Sequence, residues 1–269
     1  MPFKYLVCGG GGYKIVSYLG ILQYMWESHE LDNIKNMCGV SGGSIVITLL
    51  AIGYSPYEIK RFFLQCYTHD NEISLIDIGK NYGIYGNNSD NERLRNFIRH
   101  KTNMQDCRIR DIYRMFGVKI YISVYCLNKG THFYAYPNWK VIDSINASCA
   151  IPFFSNKCEL HRNIYVDPCF ICGNSYSYSI FEDKPKKEVL LMKINDDSQV
   201  IIIKSFIDYA FAIIKRIINI RNITDFNYTY VSSKSEDIPF IFITETITKK
   251  NEILNKSFKH NYSHYKKTI

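Results

Sequence analysis

Ser41 sits in Gly39-Val40-Ser41-Gly42-Gly43, which has the G-x-S-x-G spacing of a nucleophile elbow. The chemistry such a turn serves is attack on a carbonyl carbon. A serine between a strand and a helix occupies a sharp, strained turn. Small neighbours such as Gly39 and Gly43 let that turn close without side-chain clashes. The turn also sets the hydroxyl at the start of the next helix, where free N–H groups and the helix dipole favour developing negative charge. Taken alone, the pattern equally fits a glycine-rich turn with no chemistry.

A second glycine cluster, Gly9 to Gly12, follows a short apolar run. Successive backbone N–H groups in such a loop form a concave anion site. Two ligands suit it, a phosphate or the oxyanion of an acyl-transfer intermediate. A dinucleotide site would need G-x-G-x-x-G with an acidic residue about 20 positions on, but Lys14 or Ile15 stands where the last glycine would fall. A P-loop would need Gly-Lys followed by Ser or Thr, which does not occur here. An oxyanion loop of Gly10, Gly11 and Gly12 remains, and Ser41 is the nucleophile it requires.

Both motifs need strands and helices to hold them. Phe3 to Cys8 reads as a strand, and Lys14 to Ser28 as a helix with Ile15, Leu19, Leu22 and Trp26 at helical spacing. Lys35 to Cys38 reads as a second strand leading into the elbow, and Ile45 to Ile52 as the helix after it. Ser55-Pro56-Tyr57-Glu58 has the cap, proline and glutamate of a helix start, and that helix runs to about Cys66. A further helix is expected near Asn91 to Arg99. Val118 to Leu127 and Thr131 to Tyr136 read as strands joined through Asn128-Lys129-Gly130. Glu188 to Ile194 and residues 239–244 are later strand candidates, and residues 200–220 read as an amphipathic helix that packs on the core or lies on a membrane surface. Strands alternating with helices imply an α/β fold around a largely parallel sheet.

The chain resembles the patatin-like phospholipases in four blocks taken in order. These are Gly10-Gly11-Gly12 with Lys14 and Leu19-Gly20, the elbow around Ser41, Ala147-Ser148-Cys149-Ala150-Ile151-Pro152, and Asp167 after Ile164-Tyr165-Val166. The resemblance implies a three-layer α/β fold with a mostly parallel central sheet flanked by helices. It implies a Ser41–Asp167 dyad, an oxyanion hole at Gly10, Gly11 and Gly12, and no metal or cofactor. The implied reaction is hydrolysis of fatty acyl esters in lipids, of the phospholipase A or lysophospholipase type, through an acyl-enzyme. The Ala147 to Pro152 block is expected to shape the site.

Two places depart from the family pattern. Pro168-Cys169 follows Asp167 where glycine is usual, and a proline restricts the residue before it to extended conformations. Ile15 replaces a glycine after Lys14. These departures favour, as one alternative, a weakly active or inactive lipid- or protein-binding module on the same fold. An acyltransferase passing the same acyl group to a lipid alcohol is another. The order Ser41, Asp167, then His260 or His264 also fits an α/β-hydrolase triad, but those histidines lie in a polar, basic ending. His161 reads as a surface residue, and Lys14 as a headgroup contact or a solvated surface lysine.

The formal charge of +8 favours anionic partners, and no basic run is long enough for a nucleic-acid arm. The expected partner is an acyl-lipid at a peripheral membrane surface, with no nucleic acid. Nine irregularly spaced cysteines and no apolar leader point to free thiols and a cytoplasmic location. Cys169-x-x-Cys172 lacks the second pair a zinc site needs. The expected organisation is one acyl-hydrolase domain over residues 1–248 and a loosely held basic tail over 249–269.

Overall fold

A computed structural model of the chain describes residues 3–66, 83–85, 88–173, 179–195, 229–234 and 247–268. The helix expected over 200–220 and the strand expected over 239–244 lie outside these residues.

The chain opens with β1 (Tyr5–Cys8), a 3₁₀ turn (Gly12–Ile15), α1 (Val16–Glu27), β2 (Asn36–Gly39), α2 (Gly42–Ala51) and α3 (Pro56–Cys66). β3 (Gly83–Tyr85), α4 (Asn88–Thr102) and α5 (Ile109–Phe116) lead to the paired strands β4 (Lys119–Cys126) and β5 (Thr131–Tyr134). Then come α6 (Val141–Ser148), β6 (Phe153–Ser155), β7 (Cys158–Leu160), β8 (Asn163–Val166) and α7 (Pro168–Cys172). A second 3₁₀ turn (Lys186–Glu188), β9 (Val189–Asn195), β10 (Thr229–Lys234) and α8 (Ile247–Thr268) complete the described elements.

Among the described residues the main sheet runs β10-β9-β1-β2-β4-β8-β7, with β5 also paired to β4. The first five strands of that order are parallel, while β5, β7 and β8 join antiparallel. This is the expected α/β architecture, a mostly parallel sheet flanked by helices. Parallel strands are covered on both faces, so β1 and β2 each bury three consecutive residues instead of alternating.

β4 sets the geometry that the rest depends on. Gly39 of β2 pairs with Ile122, and Val166 of β8 pairs with Tyr125. β5 occupies the other edge of β4 from Ser123 to Cys126, and the Ala135 N–H continues that edge to the Ile122 carbonyl at 2.8 Å. A strand has only two edges. β2 and β8 therefore share the same edge of β4, one running up and the other down, and meet end to end. The residues just past their meeting ends are Ser41 and Asp167.

α1 and α2 are buried nearly all round. That is the pattern of a helix enclosed on both sides rather than one facing water. The sheet covers one side of α1 and α8 covers the other. The loosely held ending expected after Lys249 is instead a helix of 22 residues, with Leu254 and Phe258 buried. Its apolar positions recur at helical spacing within a polar segment. Gly20 of α1 allows the approach, since a Cβ there would stand 3.0 Å from the Tyr262 nitrogen. Lys60 of α3 is 5% exposed, lies 4.5 Å over the rings of both Tyr57 and Phe258, and donates to Asn255 at 2.9 Å. α5 and α6, to which the sequence reading assigns no element, pack beneath β4. α5 ends at Gly117 with a left-handed cap.

Candidate active site

Ser41 has φ 53° and ψ −133°, a strained conformation for a residue with a Cβ. The turn closes because its glycines touch backbone. A Cβ on Gly39 would meet the Gly43 carbonyl oxygen at 2.5 Å, and one on Gly43 would meet the Gly9 oxygen at 2.8 Å. Two buried serines fix the turn from inside. The Ser44 hydroxyl donates to the Ser41 carbonyl at 2.6 Å, and the Ser41 N–H donates to the Ser148 hydroxyl at 2.9 Å.

The glycine loop leaves β1 beside this turn. Its first residue is fully engaged, since the Gly9 N–H donates to the Met192 carbonyl at 3.1 Å and the Gly9 carbonyl accepts from the Tyr18 hydroxyl at 3.2 Å. Gly10, Gly11 and Gly12 then pass across the front of the elbow, half-exposed. Gly10 lies against the site, because a Cβ there would fall 3.0 Å from the Ser41 Cβ and 2.5 Å from the Cys169 sulfur. Gly12 has φ 53° and opens the 3₁₀ turn. Lys14, read from sequence as a headgroup contact or solvated lysine, is 7% exposed, which removes the solvated alternative. Ile15 is fully buried and fills the space beside Gly42.

Asp167 enters from the opposite direction at the end of β8. Its N–H donates to the Ala150 carbonyl at 2.9 Å, and its Oδ1 accepts the Cys169 N–H at 2.9 Å. The aspartate is thus the N-cap of α7 and Pro168 occupies the first helical position, where a missing N–H costs nothing. The departure from the family pattern is accommodated in this way. The extended ψ of 120° at Asp167 is the conformation a following proline permits. The side chain is 1% exposed, and its Oδ2 has no hydrogen-bond partner. Burial pushes the Asp167 carboxyl up to about 6, against the opposing pull of the Ser41 hydroxyl and the Cys169 N–H. The Ser41 hydroxyl therefore faces the carboxylate at a range that stabilises its charge, although Oδ2 itself accepts no bond of normal geometry.

The block from Ala147 to Pro152 braces both residues, Ser41 through the Ser148 hydroxyl and Asp167 through the Ala150 carbonyl. Neither contact has a signature in sequence spacing. Burial pushes the Cys149 and Cys169 thiols beside the site upward, so both are neutral at physiological pH.

The histidines fall elsewhere. His260 and His264 stack on the exposed face of α8, with ring centroids 6.1 Å apart. That end of α8 meets the last turn of α1, where Tyr262 donates to Glu27, about 18 Å along α1 from the glycine loop at 1.5 Å per residue. His161 is exposed, as expected. His132, which the sequence reading passes over, bonds Ser123 at 2.7 Å on β4 and β5. Ser123 is fully buried and His132 half-buried, and the pair lies on β4 and β5, away from the strand ends that carry Ser41 and Asp167.

The glycine loop and the serine elbow thus lie at the carboxyl ends of adjacent parallel strands, with a buried aspartate opposite. The family model of patatin-like phospholipases matches residues 6–168, and the chain belongs to that family. It is 25% identical over 177 residues to a protein named probable lipid hydrolase 463L of Invertebrate iridescent virus 6, across 61% of this chain and 59% of that one. It is 31% identical over 114 residues to the uncharacterized protein R571 of Acanthamoeba polyphaga mimivirus, across 40% of this chain and 38% of the relative. The matched segments thus span less than two thirds of either viral relative. Among solved structures, VipD from Legionella pneumophila aligns over 99% of this chain and 66% of its own, with a TM-score of 0.58 at 13% identity. That likeness concerns the fold.

Proposed function

We propose that the chain is a lipid acyl hydrolase of the phospholipase A or lysophospholipase type, with Ser41 as nucleophile and Asp167 as its base. The observation that carries this reading is the buried carboxylate of Asp167, its pKa raised by burial and drawn down by the hydroxyl of a serine held in a strained elbow.

An ordinary aspartate, with a pKa of about 3.9, accepts a hydroxyl proton poorly. At about 6, Asp167 is a stronger base that is still ionised at neutral pH. Its Oδ2 takes the Ser41 proton as the oxygen attacks the ester carbonyl carbon. The carbonyl π electrons move onto oxygen, and N–H groups of Gly10, Gly11 and Gly12 hold that charge. One good donor of this kind is worth about 3 to 4 kcal/mol. Collapse expels the lipid alcohol, which takes the proton from Asp167. Water, deprotonated by Asp167, then attacks the acyl-enzyme, and as the ester bond to Ser41 breaks Asp167 returns that proton to the serine oxygen and the fatty acid leaves. Lipid substrate and contact with a membrane surface follow from the same reading.

The test is fatty-acid release from mixed phospholipid vesicles by wild type, Ser41→Ala and Asp167→Asn. The reading expects release from wild type alone. Release by a folded Ser41→Ala protein would remove Ser41 from the chemistry. Adding a lysolipid acceptor separates hydrolysis from transfer, because only transfer yields a diacyl product.

A further inference from the structure

A cavity of about 450 Å³ lies at the ends of β4 and β8 joined to the β4–β5 and β7–β8 turns, lined among others by Cys126, Thr131 and Asn163. That volume is in the range of small-ligand sites. Its walls are aromatic. Phe133, Trp139 and Tyr165 stand nearly perpendicular to one another, with interplanar angles of 84°, 88° and 71° and centroids 5.4 to 6.2 Å apart. Tyr136 adds a fourth ring beside Phe133 and Trp139 and is 57% exposed at the mouth.

Three cationic or protonatable side chains line the cavity, Lys129, His161 and His132, the last bonded to Ser123. Lys129, in the β4–β5 turn, lines the cavity, is exposed and has no ion-pair partner among the described residues. His161 lies in the two-residue turn between β7 and β8, where it and Arg162 have φ of 50° and 63°. Turns of this kind prefer Asn or Gly. Here they carry strain instead, and the turn sets the His161 ring 5.7 Å from Trp139.

We propose that this cavity binds a phosphocholine group. Aromatic faces attract a quaternary ammonium through the ring quadrupole. No carboxylate is found among the described lining residues, so a bare cation would lack a counter-charge. Lys129 and His161 at the rim fit the phosphate of a zwitterion. The lipid-hydrolase reading enters only as one source of the group. Phosphocholine carries no acyl ester, so a failure to bind and a failure to hydrolyse are distinguishable.

The chain has two tryptophans. In the Trp26→Phe protein Trp139 is the only tryptophan, and titration with phosphocholine, with excitation selective for tryptophan, should give a saturable change in its fluorescence. Inorganic phosphate should give none. Tyr136→Ala, at an exposed position, should weaken binding by about tenfold, the size of one ring's cation–π share. Lys129→Ala should weaken phosphocholine but not choline. The proposal falls if phosphocholine gives no saturable change, if phosphate matches it, or if Tyr136→Ala binds like wild type. Sedimentation of Ser41→Ala protein with phosphatidylcholine vesicles, lost on adding Tyr136→Ala, assigns the group to a lipid headgroup. Soluble binding without that vesicle dependence assigns it to a soluble phosphocholine compound.

Discussion

Burial holds Asp167 at about 6, outweighing the opposite pull of the Ser41 hydroxyl and the Cys169 N–H. In the proposed role of base it acts ionised, so kcat/KM should rise with pH through about 6 as a single-proton limb, measurable with a soluble short-chain ester. The same shift acts on stability. The folded pKa lies above the unfolded value near 3.9, so the contribution is fully present below that pH and is lost as pH rises through about 6. Asp167→Asn should abolish activity yet be more stable than wild type at pH 8, by on the order of 3 kcal/mol. Denaturant unfolding at pH 4 and pH 8 checks it, since the gap should close at the lower pH. Strain at Ser41 makes a parallel case. Ser41→Gly relieves a φ of 53° and should gain about 1 kcal/mol while losing all turnover. An equal or lower melting temperature would mean that the elbow is not strained.

The elements around the dyad differ in how far their sequence reveals them. β1, β2, the glycine loop and the elbow are legible because apolar runs and glycines recur at short, regular range. The supports of the dyad are not, because they are long-range. The Ser41 N–H meets Ser148 across 107 positions, and β8 reaches Asp167 to the site only through its register on β4. Ser148→Ala leaves the Ser41 N–H without its partner and should cost about 1 to 3 kcal/mol in transition-state terms. A fall in kcat with KM unchanged would mark a positioning role, and unaltered kinetics would argue against one. α8 misleads in the other direction, because its lysines and histidines mask a stripe of buried positions that includes Leu254 and Phe258. We expect removal of residues 247–269 to lower the unfolding midpoint and expose α1, rather than trim a free tail. Gly20→Ala should do the same more mildly, because a Cβ there meets the α8 backbone.

For the molecule as a whole, the fold and the family agree. The charge of +8 fits attraction to anionic bilayers, and no described helix is long and apolar enough to cross one. Binding to vesicles rich in anionic lipid should weaken steeply between low and physiological salt, because exposed charges are screened within about 10 Å at 0.1 M. The central claim is that one serine and one aspartate, delivered by two strands meeting along β4, cleave lipid esters. The most direct measurement is fatty-acid release from mixed phospholipid vesicles, with chelator present, by wild type, Ser41→Ala and Asp167→Asn of confirmed fold. Release by wild type and by neither variant is the expected result. A folded wild type that releases no acid, or a Ser41→Ala protein that still does, would contradict the account.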